Sequence, residues 1–156
     1  KTLSVNSKDL LEKLPYTSPF LFVNEISHID ENGVTGTYSF PEDSFFYEGH
    51  FKNNPVTPGV ILTECMAQIG VVCLGIYLLN MEQEQQDDLD ETKFQVAMTS
   101  TKMEFFLPVY PGEKVIVISK KIYFRFQKLK CEVEMQDLEG NLICKGDIAG
   151  MFKTIE

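Results

Sequence analysis

A long apolar run near the middle of the chain constrains the fold more than any other feature. From Pro58 to Leu79 the sequence has few polar side chains and predicts one helix of about 22 residues, roughly 33 Å long. Pro58 suits the first turn, where a missing N–H leaves no helical bond unmade. Because nearly every face of this helix is apolar, its surroundings must cover it on all sides.

A lipid bilayer and a protein interior are the two environments that could cover such a helix. About 20 apolar residues suffice to cross a bilayer, so the length alone permits a membrane span. However, Glu64 and Gln68 lie near one end of the run, where they would be costly in lipid, and no basic anchor flanks it. We therefore expect burial within protein and no membrane partner.

Strand-like patterns flank the helix on both sides. A short helix from Ser7 to Leu14, with Ser7 as its N-cap, precedes two strands joined by a turn at residues 31–33. The predicted strands are Phe20–Ile29 and Val34–Phe40 before the long helix, and Phe94–Leu107, Val115–Phe126, Cys131–Leu138 and Leu142–Phe152 after it. On Val115–Phe126 the predicted apolar face comprises Ile116, Ile118, Ile122, Phe124 and Phe126.

This order of elements predicts an α+β fold, an antiparallel sheet wrapped around one long buried helix, in a single domain over residues 1–156. The sheet covers one side of the helix. A second subunit is the economical cover for its far side.

Charge and cysteine usage narrow the class of partner. The net charge is −9, and six acids between Glu82 and Glu91 account for most of it, which argues against nucleic acid. Residues 114–130 form a local basic segment.

The four cysteines lack C-x-x-C pairing and are expected to be reduced and buried, and no secretion signal is visible, so a cytoplasmic location is expected. With only two histidines, no metal site is predicted.

Residues 49–64 carry the candidate chemistry. His50 stands just before a Pro/Gly-rich turn, and Glu64 lies just inside the apolar helix. Histidine exchanges protons near neutral pH. Burial among Val60, Ile61 and Ala67 would favour the protonated form of the Glu64 carboxyl group. A base and an acid beside a helix N-terminus indicate proton transfer on a carbonyl substrate.

Several motifs in this chain resemble those of the FabZ/FabA family of hot-dog-fold 3-hydroxyacyl-[acyl carrier protein] dehydratases. Leu14–Asn24 is similar to the family's LPHRYPFLLVD, and Gly49–Val60 resembles GHFPGxPVMPGV. Residues 64–68 resemble EAMAQ, and residues 108–113 resemble PVxPGD. The matches occur in the family's order along nearly the whole chain, and the central one is highly specific.

The resemblance implies a lyase in fatty-acid or related acyl-chain biosynthesis that makes a trans-2-enoyl thioester on acyl carrier protein and uses no cofactor. His50 matches the catalytic base and Glu64 the catalytic acid, while Gly59, Val60 and Gln68 match positions at the substrate. It also implies a homodimer with shared active sites, with a trimer of dimers as a larger assembly. Glu rather than Asp at position 64 resembles the branch that dehydrates without isomerising the product.

Two departures from the family pattern keep alternatives open. Lys52, Asn53 and Asn54 replace the usual Pro-Gly-x, and Glu104–Leu107 stands where the family often has basic residues that hold the carrier protein. The basic residues between Lys120 and Lys130 are candidates to replace them. A hot-dog acyl thioesterase and a non-catalytic acyl-binding partner subunit are the alternative functions.

Overall fold

A six-stranded antiparallel sheet curved around one long helix dominates the computed structural model, which describes residues 7–83 and 93–155. The strands lie side by side in the order β1-β2-β4-β5-β6-β3. The elements are α1 (Ser7–Glu12), β1 (Glu25–Asp30), β2 (Gly33–Ser39), a 3₁₀ turn (Phe45–Tyr47), the central helix, β3 (Lys93–Phe105), β4 (Lys114–Arg125), β5 (Lys128–Gln136) and β6 (Leu142–Ile155). The predicted α+β architecture and the order of its elements are confirmed.

The central helix has three consecutive parts: α2 (Gly59–Ala67), a π-helical segment (Gln68–Cys73) and α3 (Leu74–Gln83). It begins one residue later than expected, because Pro58 has the extended conformation of an N-cap. Its residues 59–82 are long and apolar enough to cross a membrane, but 78% of their most apolar stretch is buried inside the fold. The helix is therefore buried as predicted, and the sheet supplies most of the cover.

The π-helical segment is the part of the helix that the sheet encloses. All six of its residues are buried, and they pack against β2, β4, β5 and β6. In a π-helical turn, the backbone hydrogen bonds join residues five apart, whereas in an α-helix they join residues four apart. Here the Ser119 hydroxyl on β4 donates a 2.8 Å hydrogen bond to the Gly70 carbonyl. Ser119 is itself buried, so this bond satisfies two polar groups inside the core.

The prediction for the apolar face of β4 was wrong. Val115, Val117 and Ser119 face the helix and are buried, whereas Ile122 and Phe126 are exposed. A bulge between Lys121 and Tyr123 shifts the alternation, and both faces of this strand carry apolar residues, so period two alone could not choose between them. On β5, by contrast, Cys131, Val133 and Met135 alternate along the strand and all three are fully buried.

The first strand is shorter than predicted. It begins at Glu25 instead of Phe20, because part of the preceding backbone forms hydrogen bonds with the Gln68 side chain instead of with a neighbouring strand. Gln68 bonds the Phe22 N–H and the Phe20 carbonyl, and the Asn24 side chain accepts from the Ser39 N–H. The Ser7 hydroxyl accepts a hydrogen bond from the Ile26 N–H, which ties α1 to β1.

Other local predictions have mixed outcomes. The turn expected at residues 31–33 joins β1 and β2, and a second turn at residues 139–141, with Gly140 at φ +86°, joins β5 and β6. All four cysteines are buried and unpaired, as expected. The predicted acidic loop of residues 82–91 lies outside the described residues except for its first two positions.

Candidate active site

The loop that carries His50 is held by backbone hydrogen bonds. A carbonyl oxygen can only accept a hydrogen bond. The Nδ1–H of His50 therefore donates to the Val56 carbonyl, at 2.8 Å. The Val56 N–H donates in turn to the His50 carbonyl, at 2.9 Å. With its proton on Nδ1, the neutral ring has its lone pair on Nε2. The Phe51 ring stacks on the imidazole, with ring centroids 3.9 Å apart.

The segment that departs from the family pattern forms a closed turn next to His50. Two reciprocal backbone bonds join Phe51 and Asn54, at 2.8 and 3.0 Å. Asn53 has φ +60°, the left-handed conformation that asparagine tolerates better than most residues. The replacement residues therefore suit the backbone that they adopt.

The motif at residues 108–113 anchors the end of this loop. The Val109 carbonyl accepts a 2.8 Å bond from the Thr57 N–H, and the Thr57 hydroxyl lies 2.6 Å from the buried Tyr47 hydroxyl. Gly112, at φ +87°, closes the turn with a 2.7 Å bond from its N–H to the Phe40 carbonyl. Two motifs that are far apart in sequence thus meet where the central helix begins.

Gly59 is the first residue of the central helix, so its N–H has no helical acceptor. A Cβ at this position would lie 3.2 Å from the Phe105 ring, closer than side chains normally pack. Val60 follows and is 77% exposed, although it is apolar. The helix start therefore offers a backbone donor beside exposed apolar surface.

Glu64 is positioned by Gln68, one turn further along the helix. The Gln68 amide nitrogen donates to Glu64 Oε1 at 3.1 Å and to the Phe20 carbonyl at 3.0 Å, and its oxygen accepts from the Phe22 N–H at 2.8 Å. Gln68 is 0% exposed. With all of these groups engaged, Gln68 holds the Glu64 carboxyl group in its orientation.

Glu64 lies on the wall of a cavity of about 200 Å³, here called the Glu64 cavity. The other walls come from the central helix, β3, β6 and the segment after α1, and almost all are apolar. They are Tyr16, Ala67, Val71, Val72, Val96, Met98, Ile148, Ala149 and Gly150. A carboxyl group in such surroundings can exchange a proton with a bound apolar substrate.

Tyr16 is a residue of this site that the sequence analysis did not single out. Burial, and secondarily the charge of Glu64, raises the pKa of Tyr16 to about 12. Its phenol therefore stays protonated at neutral pH beside the Glu64 carboxyl group. A signal was available in the sequence, since Tyr16 stands inside the first motif where the family has a histidine.

The structure brings only some of the predicted residues together. Gly59, Val60, Glu64 and Gln68 follow one another on the central helix, and Glu64 and Gln68 are in direct contact. His50 is not among the residues that line the Glu64 cavity. Within one chain, the candidate base thus does not line the cavity on whose wall the candidate acid lies.

His28 is the second of the two histidines in the chain. His28 lies on β1 and contacts Asp30 at 3.0 Å, where the backbone N–H of Asn32 and, to a lesser extent, His28 lower the pKa of Asp30. Among residues 7–83 and 93–155, no group of three His, Cys, Asp or Glu side chains could hold a metal ion.

A family model matches the part of the chain that contains this site. The model of the FabA-like domain matches residues 14–149, from the first motif to the middle of β6. The chain belongs to the FabA-like family. The resemblance found in the motifs is confirmed.

Curated relatives of similar length support the same placement within the FabA-like family. The chain is 32% identical to the 3-hydroxyacyl-[acyl-carrier-protein] dehydratase FabZ of Caldicellulosiruptor saccharolyticus, over 92% of this chain and 96% of the relative. It is 26% identical to the FabZ of Ehrlichia chaffeensis over 99% of both chains. These relatives are named as dehydratases, which are lyases, so the expected enzyme class is confirmed at the level of the family.

Solved structures confirm the hot-dog fold. The dehydratase heterocomplex ApeI:P from Xenorhabdus doucetiae matches with a TM-score of 0.71 over 90% of this chain and 89% of that one, at 12% identity. A hypothetical thioesterase with coenzyme A from Streptococcus pneumoniae matches with a TM-score of 0.64 over 96% and 98%, at 15% identity. At these identities the likeness concerns the fold alone.

Proposed function

We propose that this FabA-like protein dehydrates a 3-hydroxyacyl thioester, carried on acyl carrier protein, to the trans-2-enoyl thioester. The observation that carries the proposal is the Glu64 carboxyl group, held by the buried Gln68 at the wall of an apolar cavity. An acyl chain suits such walls, because apolar burial supplies most of its binding free energy.

His50 acts as the base in the proposed reaction. Its Nδ1–H is engaged by Val56, so Nε2 takes the proton from the carbon next to the thioester carbonyl. The electrons of the broken C–H bond form the new double bond. The bond between the next carbon and its hydroxyl oxygen breaks, and the Glu64 carboxyl group supplies the proton that turns the leaving hydroxyl into water.

The N–H of Gly59 polarises the thioester carbonyl in this proposal. It lies at the start of the central helix, where the positive end of the helix dipole favours the charge that develops on the carbonyl oxygen. One such backbone donor changes the rate of comparable reactions by about 10²- to 10³-fold. Val60 and the walls of the cavity hold the acyl part. Nothing in this elimination is oxidised or reduced, so no cofactor is required.

The active site in this proposal is shared between two copies of the chain. His50 does not line the Glu64 cavity of its own chain, so a second copy supplies the base. Two surfaces support this assembly. β3 pairs only with β6 among the described strands, which leaves its other edge open to a partner, and Val60 and Phe105 are exposed near the helix start. A trimer of dimers remains a prediction.

The remaining expectations about partners and location also belong to this proposal. Acyl carrier protein is the carrier partner, and the basic segment between Lys120 and Lys130 is its candidate contact, because acidic partners favour basic surfaces. We propose a cytoplasmic location with no membrane or nucleic-acid partner. The burial of the apolar helix and the net charge of −9 support it.

The reaction is tested with purified protein and a 3-hydroxyacyl-carrier substrate. Absorbance in the ultraviolet should rise as the enoyl thioester forms. His50→Ala and Glu64→Gln should each lower kcat by about 10²- to 10⁴-fold, the usual contribution of a positioned acid or base. His28→Ala is the matched control, since that exposed histidine lies on β1 and bonds Asp30, and it should leave the rate unchanged.

Full activity in both site variants would contradict the assignment. Release of free thiol without enoyl formation would instead indicate the thioesterase. Acyl binding with neither product would indicate the non-catalytic partner subunit.

A further inference from the structure

A second, larger hollow lies next to the Glu64 cavity and shares a wall with it. It is a groove of about 760 Å³, here called the distal groove. Among the residues that the structure describes, only Tyr16 and Val96 line both spaces. The remaining walls of the distal groove are mainly apolar or aromatic: Pro15, Phe94, Gln95, Ala97, Gln127, Met151, Phe152 and Lys153.

The two spaces follow one another along the β3–β6 pair. On β3, Met98 lines only the Glu64 cavity, Val96 lines both spaces and Phe94 lines only the distal groove. On β6, Gly150 faces the first space and Phe152 the second, in register with Met98 and Val96. Alternate residues of a strand share a face, so this path covers about 13 Å from Met98 to Phe94.

Tyr16 stands at the junction of the two spaces. It packs against the core just after the buried Leu14, and the charge of Glu64 influences its phenol. Its ring is larger than Val96, the other described side chain that borders both spaces. Removal of the ring would therefore join a cavity of about 200 Å³ to a groove of about 760 Å³.

We infer that Tyr16 is a specificity-determining residue that confines the acyl chain to the Glu64 cavity and closes off the distal groove, an apolar site suited to the far end of a longer acyl chain. The inference rests on the proposed function, because it takes an acyl thioester as the ligand. It assigns a limit of chain length to one aromatic ring and predicts where the chain continues when that ring is removed.

The first test measures equilibrium binding, which needs no turnover. Saturated acyl-pantetheines of increasing chain length are titrated calorimetrically into the wild type, Tyr16→Ala and Tyr16→Phe. Wild-type affinity should rise with length and then stop rising. Tyr16→Ala should continue to gain about fourfold per added methylene beyond that limit, because burial of one CH₂ contributes about 0.8 kcal/mol. Tyr16→Phe keeps the ring and should keep the wild-type limit.

A second variant guards against a poorly folded Tyr16→Ala. Val96→Ala trims the other shared wall and should extend the limit in the same direction by a smaller amount. The inference is overturned if neither alanine variant moves the limit, if Tyr16→Phe moves it as far as Tyr16→Ala, or if the wild type shows no limit.

The second test separates this inference from the proposed reaction. Dehydration is assayed on the same series of chain lengths with 3-hydroxyacyl-carrier substrates. A shifted binding limit without dehydration by any variant would contradict the proposed function and leave the partition standing. Normal wild-type dehydration with an unshifted limit in both alanine variants would contradict the partition alone.

Discussion

The loop that carries His50 and the helix that carries Glu64 are fixed by different kinds of contact. The loop depends on backbone hydrogen bonds, such as those between His50 and Val56, and its side chains are largely exposed. The helix depends on burial, and its Glu64 is oriented by a glutamine without solvent exposure. The proposed acid is therefore oriented by its own chain, whereas the proposed base lies in a largely exposed loop, where the proposed second chain would use it.

The largest expected effect comes from removal of the buried glutamine on the helix side. Gln68→Leu keeps the approximate volume but leaves the Phe22 N–H and the Phe20 carbonyl without their partner. An unsatisfied buried group such as the Phe22 N–H costs about 1–3 kcal/mol and the partly buried Phe20 carbonyl costs less, so the free energy of unfolding should fall by about 2–4 kcal/mol. Loss of the bond to Glu64 should lower kcat by about 10²-fold, the scale of a misplaced catalytic group.

Denaturant unfolding and steady-state kinetics measure these two losses. Gln136→Leu is the matched control, because the Gln136 amide donates to the Glu134 carboxylate on β5, outside the candidate site; it should leave kcat unchanged and lower the free energy of unfolding by no more than about 1.5 kcal/mol. An unchanged kcat in Gln68→Leu would show that Glu64 does not need this hydrogen bond.

High pH should destabilise the helix side through its buried thiols. Burial raises the pKa of Cys73 from 9.0 to about 12 and raises that of Cys65 as well. These folded-state pKa values lie above the unfolded value, so the contribution is complete below about pH 9 and is lost as pH rises toward 12. Each thiol that ionises only when unfolded should lower stability by about 1.4 kcal/mol per pH unit in that window.

Unfolding free energies between pH 8 and 11 check this slope, and Cys73→Ala should make it shallower. An identical slope in that variant would rule out the Cys73 contribution. The four thiols should also react with a thiol reagent only after denaturation, because all are buried.

The smallest expected effect concerns the loop side. Thr57→Val removes the 2.6 Å contact with the Tyr47 hydroxyl but keeps the backbone bond to Val109. The loss should be about 1–2 kcal/mol of stability, since one buried hydroxyl loses its partner. The position of His50 should change little, because its own bonds to Val56 remain, and kcat should stay within a few-fold of wild type. A loss of activity as large as that of Gln68→Leu would erase the contrast between the two regions.

The sequence predicted the features that depend on composition and motif. The apolar helix required burial, and the strand patterns around it supplied the sheet. His50 and Glu64 stood out because proton-exchanging residues flank a helix start. The four cysteines were placed correctly because they lie in apolar segments.

The features that were missed depend on tertiary contacts. The buried face of β4 depends on a bulge and on the hydrogen bond from Ser119 to the π-helical segment. The alternation of apolar residues along the strand predicts neither of them. The first strand begins at Glu25, later than predicted, because the Gln68 side chain forms hydrogen bonds with the preceding backbone. The position of Tyr16 in the candidate site depends on the fold, which places the segment after α1 and Glu64 on the wall of one cavity.

The most direct test of the account mixes two inactive chains. His50→Ala and Glu64→Gln are co-purified as a random mixture, so about half of the dimers contain one of each. In a shared site, such a dimer keeps one complete His–Glu pair, and the mixture should recover about one quarter of wild-type activity. If both residues act within one chain, no dimer contains a complete pair, and recovery no greater than that of the two variants measured separately would contradict the account.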